Sequence, residues 1–213
     1  MATRRYSSPL REESTAQTRR RILAAASTLF GRDGYAGTTM AAIAKEAGVS
    51  AQSVHLAGPK SALLMASFEI ALAGDEGTHP LYERPAVAAI MQLPPREALP
   101  AYLDFLAEAN ARTADLSRAL YVAAETDASV AVLVADLNER RHRDVGMAIA
   151  WCRDRGLLPE DADPEASTDV LTHLVSPDTY RFFTRERGWD DERYRSWLGD
   201  AIERLVLRGR VGG

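Results

Sequence analysis

The chain has 213 residues, 46% hydrophobic and 26% charged, with a formal net charge of −4. That apolar content excludes a disordered chain, and the length suits a core of ordinary size in one or two domains. No apolar run approaches the ~20 residues of a membrane span, no apolar stretch follows Arg4-Arg5 to make an export signal, and a lone Cys152 excludes an intrachain disulfide, so a cytoplasmic protein with a structural thiol is expected.

Charge is unevenly spread. Residues 1–60 hold nine basic side chains against four acidic ones, a local net of +5, which leaves the remainder acidic. A basic amino-terminal part can neutralise phosphates, whereas an acidic remainder is repelled by DNA and suits other work. Solvated Arg faces are the alternative reading of the same residues.

Residues 1–13 lack periodicity and contain Ser7-Ser8-Pro9, which predicts a mobile arm; Arg4 and Arg5 there are candidates for a minor-groove or backbone contact. The first helix is expected to start near Ser14 or Thr15, to bury Ile22, Ala25, Ala26, Leu29 and Phe30, and to stop at Gly31. Gly31, Gly34 and Gly37 are spaced by three, yet no strand precedes them and no Gly-Lys-Ser/Thr follows, so a turn between helices is expected rather than a phosphate loop. Tyr35 is expected to pack back on the helical core.

From Thr38 to Lys60 the chain reads TTMAAIAKEAGVSAQSVHLAGPK. Met40, Ile43, Ala44 and Ala47 fall at i, i+3, i+4 and i+7, one face of a helix that opens at Thr38-Thr39 and ends at Gly48. Ser50 is an N-cap for a second helix of about six residues, whose inward residue is Val54 and whose outward ones are Ala51, Gln52, Ser53 and His55. This is a helix-turn-helix, and small and amide side chains on its exposed second helix suit a major groove.

The run from Arg21 to Leu64 resembles the DNA-binding domain of the TetR family of bacterial transcriptional regulators. The resemblance lies in Ile22-Leu23, Leu29-Phe30, Gly34-Tyr35, Thr38-Thr39, Ile43-Ala44, Ala47-Gly48-Val49-Ser50 and Lys60-x-x-Leu63-Leu64. Two departures stand out: His55 replaces the family's usual Tyr, and the segment to Lys60 is one residue shorter, with Gly58-Pro59. The resemblance implies DNA contacts by Thr38, Thr39, Ser50, Gln52, Ser53, His55 and Lys60, the last at the positive amino end of a fourth helix that starts at Pro59.

Beyond a Gly- and Pro-rich segment at 74–85 the pattern stays helical, with helices expected at about 85–92, 95–113, 115–126, 128–156, 164–187 and 190–208. The expectation is therefore an all-α protein, with a helix-turn-helix domain at residues 14–76 and a larger helical domain at 77–213. The basic run Arg140–Arg143 is expected as an exposed turn of a long helix rather than a ligand cluster. The segments Val175-Ser176-Pro177, Tyr180-Arg181, Arg187-Gly188-Trp189, Arg193-Tyr194 and Trp197-Leu198 resemble the carboxy-terminal region of many regulators of the same family, whose helices pair between subunits. That resemblance implies a homodimer interface through Val170, Leu174, Phe183, Trp197, Leu198, Ile202 and Leu205. The apolar stripe Tyr194, Leu198, Ala201, Ile202, Leu205 and Val206 also needs a partner on its own account, with packing inside the chain as the alternative.

Nothing in the sequence assembles an active site. There is no Gly-x-Ser-x-Gly, His-Glu-x-x-His or Walker pattern, and the four histidines lie in separate segments, so no catalytic residue, metal or cofactor is expected. Family resemblance implies a ligand-controlled regulator, a repressor in the expected sense, that binds a palindromic operator as a homodimer and answers to a small molecule. Tyr102, Phe105, Tyr121, Trp151 and His173 are candidate pocket linings, each with the alternative of a plain core residue. The rival is an all-α ligand-carrying or interaction protein that no longer reads DNA.

Overall fold

The structure is a computed structural model that describes residues 9–77 and 79–207. The expected arm with Arg4 and Arg5 lies outside the described residues. Ten α-helices follow one another, with no strand among the described residues: α1 Pro9–Gly37, α2 Met40–Ala47, α3 Ala51–Ala57, α4 Lys60–Ala73, α5 Pro85–Met91, α6 Pro95–Ala124, α7 Ala128–Asp154, α8 Pro164–Leu174, α9 Pro177–Arg181 and α10 Asp191–Leu205. A single 3-10 turn at Leu81–Glu83 precedes α5, and a π-helical turn at Phe182–Glu186 follows α9.

Helix α1 does not stop at Gly31. A lone glycine inside a well-packed helix is tolerated, and the break falls three residues later, where Gly34 takes φ 71° and ψ 178°. The expected pair of helices at 95–113 and 115–126 is one helix, because no Gly or Pro interrupts it near 114 and both Thr113 and Ala114 are fully buried. Thr113 keeps the helical turn by donating its hydroxyl to the Ala109 carbonyl, 2.7 Å away. The opposite happens at 164–187. Pro177 cannot continue α8, so Ser176 accepts from the Thr179 amide and starts α9 afresh.

Two cores organise the helices. One joins Ile22, Ala26 and Phe30 of α1, Ile43 of α2, Val54 of α3 and Leu63, Leu64 and Phe68 of α4, then continues into Leu116 and Leu120 of α6 and Val130 and Val134 of α7. The other gathers Leu106 and Ala114 of α6, Val145 and Ile149 of α7, Leu171 and Leu174 of α8, Tyr180 of α9 and Tyr194, Leu198 and Ile202 of α10. Helices α6 and α7 run through both. No single helix among the described residues is long and apolar enough to cross a membrane.

The second core corrects the expected dimer face. Leu198 is 0% exposed, Ile202 3% and Leu174 7%, so the stripe of α10 is covered by its own chain and these three cannot meet a second copy in this arrangement. Phe183 and Trp197 are half-buried in an aromatic group, their ring centroids 4.2 Å apart. Val170 and Leu205 remain outside, and Phe182 is a further exposed large apolar side chain.

Leu198→Ala should therefore cost about 2–5 kcal/mol by opening a cavity in the second core, while Leu205→Ala should change monomer stability by less than about 0.5 kcal/mol. Urea unfolding of dilute protein checks both, and equal losses at the two positions would place α10 the other way round.

Candidate nucleic-acid interface and internal cavity

A helix of seven residues cannot hold itself together, so α3 is held from outside. Thr39 caps α2 by accepting from the Ala42 amide, and Gly48 ends it in the left-handed region at φ 62°, ψ 41°. The Val49 amide returns to the Ala44 carbonyl at 3.0 Å, which closes the turn. Ser50 then accepts from the Ser53 amide at 3.1 Å, and the two hydroxyls lie 2.9 Å apart. Val54 is fully buried beneath α3.

The far sides of both helices are capped by arginines of α1. Arg21 donates to the carbonyls of Ala47 at 2.6 Å and Gly48 at 3.1 Å; Arg19 donates to the Ala57 carbonyl at 2.7 Å and pairs with Glu76. The left-handed backbone of Gly48 favours glycine, and a Cβ there would stand 2.9 Å from the Arg21 guanidinium, so a larger residue would have to push this side chain aside. These two basic residues, which the sequence offers equally as phosphate contacts, are occupied in bracing the motif.

Gln52 and His55 are exposed on α3, Ser53 is half-exposed, and Thr39 and Ser50 are exposed at the two helix starts. Thr38 is different. It is 1% exposed, and its hydroxyl donates to the Gly34 carbonyl at 2.8 Å, so it fixes the turn after α1 and offers nothing to DNA. Leu56, 81% exposed on the same helix, is a residue that the pattern of polar outward positions did not single out.

Pro59 sits at the N-cap of α4 rather than inside it, and Lys60 is the first helical residue. The Lys60 ammonium lies 4.2 Å from the centroid of the Tyr35 ring. Partial burial pushes its pKa down, against a weaker opposing pull from Asp127. The Tyr35 hydroxyl in turn donates to Asp127 at 2.8 Å, and Asp127 caps α7 by accepting from the Ser129 and Val130 amides. One short chain of contacts thus joins the start of α4 to the start of α7.

The other end of α4 forms part of the wall of a cavity of about 170 Å³. Phe68, Glu69 and Leu72 line it from α4, Tyr102 and Phe105 from α6, and Arg140, Arg141, Asp144 and Trp151 from α7, with the segment from Gly77 to Met91 closing one side. That closing segment is tied to α7 by two hydrogen bonds, from the Leu81 amide to Asp144 at 3.0 Å and from the Trp151 indole to the Met91 carbonyl at 2.8 Å. Glu69 of α4 is bridged to Arg140 of α7 at 3.0 Å.

Three of the five expected pocket residues, Tyr102, Phe105 and Trp151, are in this wall. Tyr121 and His173 are not. Tyr121 packs on the first core with its hydroxyl 2.5 Å from Asn138, and His173 is exposed on α8. Arg140 and Arg141 belong to the wall instead of an exposed turn, because that side of α7 faces α4 and α8 rather than water. A charged residue in an otherwise apolar helix was the available signal: Glu69 is the one ionisable side chain between Ser61 and Ala73. Cys152 also lines the cavity, where burial pushes its thiol to about 11 and keeps it protonated. Burial likewise raises the Asp144 carboxyl, against hydrogen bonding from Leu81 and neighbouring arginines. Among the described residues no group of three or more His, Cys, Asp or Glu side chains could hold a metal ion.

Fold and surface together define a class: an all-helical protein with a braced helix-turn-helix at one end and a lined internal cavity further along. Residues 22–57 match the family model of bacterial regulatory proteins, tetR family. No curated protein matches the chain. Among solved structures, the chain is similar to a protein described as a transcriptional regulator from Saccharomonospora viridis in complex with choline, at 21% identity and TM-score 0.69, over 91% of this chain and 99% of that one. A protein described as a TetR-family transcriptional regulator from Rhodococcus sp. is similar at 19% identity and TM-score 0.69, over 90% and 99%. SmeT in complex with triclosan is similar at 20% identity and TM-score 0.62, over 92% and 93%. Over about nine-tenths of its length the chain therefore has the fold of these proteins.

The phenols of Tyr35 and Tyr102 are both pushed up to about 12, chiefly by burial, from an ordinary value of 10.0. A folded pKa above the unfolded one favours the neutral phenol in the fold, so this stabilisation is intact below pH 10 and is lost as pH rises through about 12. Tyrosinate absorbance followed during alkaline titration should show a late-ionising group, and Tyr35→Phe should remove part of it; ionisation of every tyrosine near pH 10 would contradict this placement.

Proposed function

We propose that the protein is a sequence-specific DNA-binding transcriptional regulator, a repressor, in which a small molecule held in the cavity changes the affinity for DNA. The observation that carries this reading is α4, which begins beside the helix-turn-helix with Lys60 and ends in the cavity wall with Phe68, Glu69 and Leu72. A ligand acts on DNA affinity only through different binding to two conformations, and a rigid helix shared by both sites is a physical means of giving it that difference. The regulators solved with choline and triclosan support a ligand for this chain without indicating which. Residues 14–76 are proposed as the reading domain and 77–213 as the ligand-binding and dimerisation domain. The proposed setting is the cytoplasm, where DNA and a small molecule are both within reach.

Exposed Gln52 and Ser53 on α3 are assigned to base edges, where an amide pairs with adenine and a hydroxyl with several bases. Thr39, Ser50, His55 and Lys60 are assigned to phosphates at the helix starts and flank. One helix of this length covers too few base pairs for useful specificity, so two heads on a palindromic operator are proposed, about one turn of DNA apart or a multiple of it. The proposed joint runs through the exposed Val170, Phe182 and Leu205 rather than the buried stripe of α10.

Selection of bound sequences from random DNA, followed by binding at several salt concentrations, tests the reading. Tight, palindromic, sequence-selective binding is expected, and weak sequence-independent attraction alone would reject it in favour of a helical carrier that no longer reads DNA. Gln52→Ala should lose ~1–3 kcal/mol on the selected operator and relax preference at one position per half-site, whereas Lys60→Ala should weaken all sequences alike and flatten the salt slope. Equal losses on operator and random DNA for Gln52→Ala would remove it from the base-reading set.

Leu205→Arg should leave the monomer folded, since this side chain is 63% exposed, yet place unpaired charges in the joint. Light scattering should then report a monomer, with operator binding falling much further than half-site binding. An unchanged dimer would move the interface elsewhere, and a monomeric wild type would defeat the two-headed arrangement.

A further inference from the structure

The chemistry of the cavity wall says more than that it holds a small molecule. Most of its lining is apolar, and three arginines, Arg84, Arg140 and Arg141, stand among those side chains with two carboxylates, Glu69 and Asp144. Both carboxylates are engaged. Glu69 takes Arg140 at 3.0 Å and the Gly77 amide at 3.3 Å, while Asp144 takes the Leu81 amide. Arg140 also reaches Asp136 at 2.8 Å, and Arg84 pairs with Asp75.

Arg141 alone among the three lacks a carboxylate. Its terminal nitrogen donates to the Thr172 carbonyl at 2.7 Å, and its Nε is buried with no partner. The other lining side-chain atom buried without a partner is Nε of Arg84, again a donor; no lining acceptor is left in that state. A buried guanidinium donor without an acceptor is costly, and an anionic acceptor is the partner that relieves it most. Tyr102 lies close enough to Arg141 and Asp144 for both charges to bear on its phenol, and burial holds that phenol protonated, so it is a second donor beside Arg141.

The geometry points to an amphipathic monocarboxylate as the ligand, an acid with an aliphatic or aromatic body, its carboxylate against Arg141 and the Tyr102 hydroxyl and its body along Phe68, Phe105 and Trp151. A cation would have to compete with Arg140 for Glu69, and at Asp144 it would meet the positive charges of Arg140, Arg143 and Arg84 that already bear on that carboxylate. A neutral apolar molecule would leave Arg141 as it stands. This inference rests on the cavity being the ligand site of the proposed regulator.

Calorimetric titration of the full chain, without DNA, with octanoate, octan-1-ol and octylammonium compares three head groups on one body. Octanoate is expected to bind about tenfold or more tighter than octanol, the ratio that one charge-assisted hydrogen bond supplies, and octylammonium weakest. Arg141→Met should erase the preference for octanoate over octanol, and Arg141→Lys should keep part of it. Octanol equal to octanoate, octylammonium tightest, a preference that survives Arg141→Met, or no heat from any of the three would overturn the inference. The wild-type series does not depend on the variants folding. Its failure is also separate from failure of the regulator reading, which is decided by operator selection: a cavity that favours octanol or octylammonium in a protein that selects an operator removes only the acid.

Discussion

A seven-residue helix has no stability of its own, and much of the amino-terminal half exists to hold one. Val54 anchors α3 from below, Ser50 caps its start, and Arg19 caps its end from α1. The fixed turn before it depends on Gly48, whose left-handed backbone strains any other residue, and on Arg21, which reaches over it to two carbonyls. Arginines that could have faced phosphate are used as internal fasteners instead. The outward residues Gln52 and His55 are thereby held in an exposed position.

The same constraint passes into the second half through two links between α4 and α7. Near the start of α4, Lys60 rests on Tyr35, and Tyr35 bonds the cap of α7; further along, Glu69 is bridged to Arg140 of that same helix. The two helices are thus held by polar contacts at their starts and again where the far part of α4 meets the middle of α7, with a lined cavity beside the second link. An occupant of that cavity meets α4 and α7 together. Changing the distance between them strains a cation on an aromatic ring at the helix starts and a largely buried ion pair further along.

Much of this was legible in residue order, and what was not has identifiable causes. Helix α2, the turn and α3 follow from local rules: the i, i+3, i+4, i+7 stripe ending at Ala47, the left-handed Gly48 and the Ser50 cap each act within a few residues. Thr38 was misread because its position before α2 is right for a contact, while its burial depends on the distant fold of α1. In the apolar stripe of α10, Tyr194, Leu198 and Ile202 are covered by their own chain while Leu205 is exposed, since a pattern of apolar residues states that a face needs cover and not by which chain. Arg140 and Arg141 read as a solvated turn because their partners, Glu69 and the Thr172 carbonyl, are 71 and 31 residues away.

The three tryptophans are divided between two environments. Trp151 stands in the cavity wall with its indole nitrogen bonded to the Met91 carbonyl and the Arg155 guanidinium over its ring, while Trp189 and Trp197 sit with Phe183 in the aromatic group near the carboxy terminus. Indole emission responds to polarity and to quenching neighbours, so filling the cavity alters the light from one fluorophore and leaves a pair as an internal reference. The molecule thereby carries its own optical reporter of occupancy, which needs no label and no DNA.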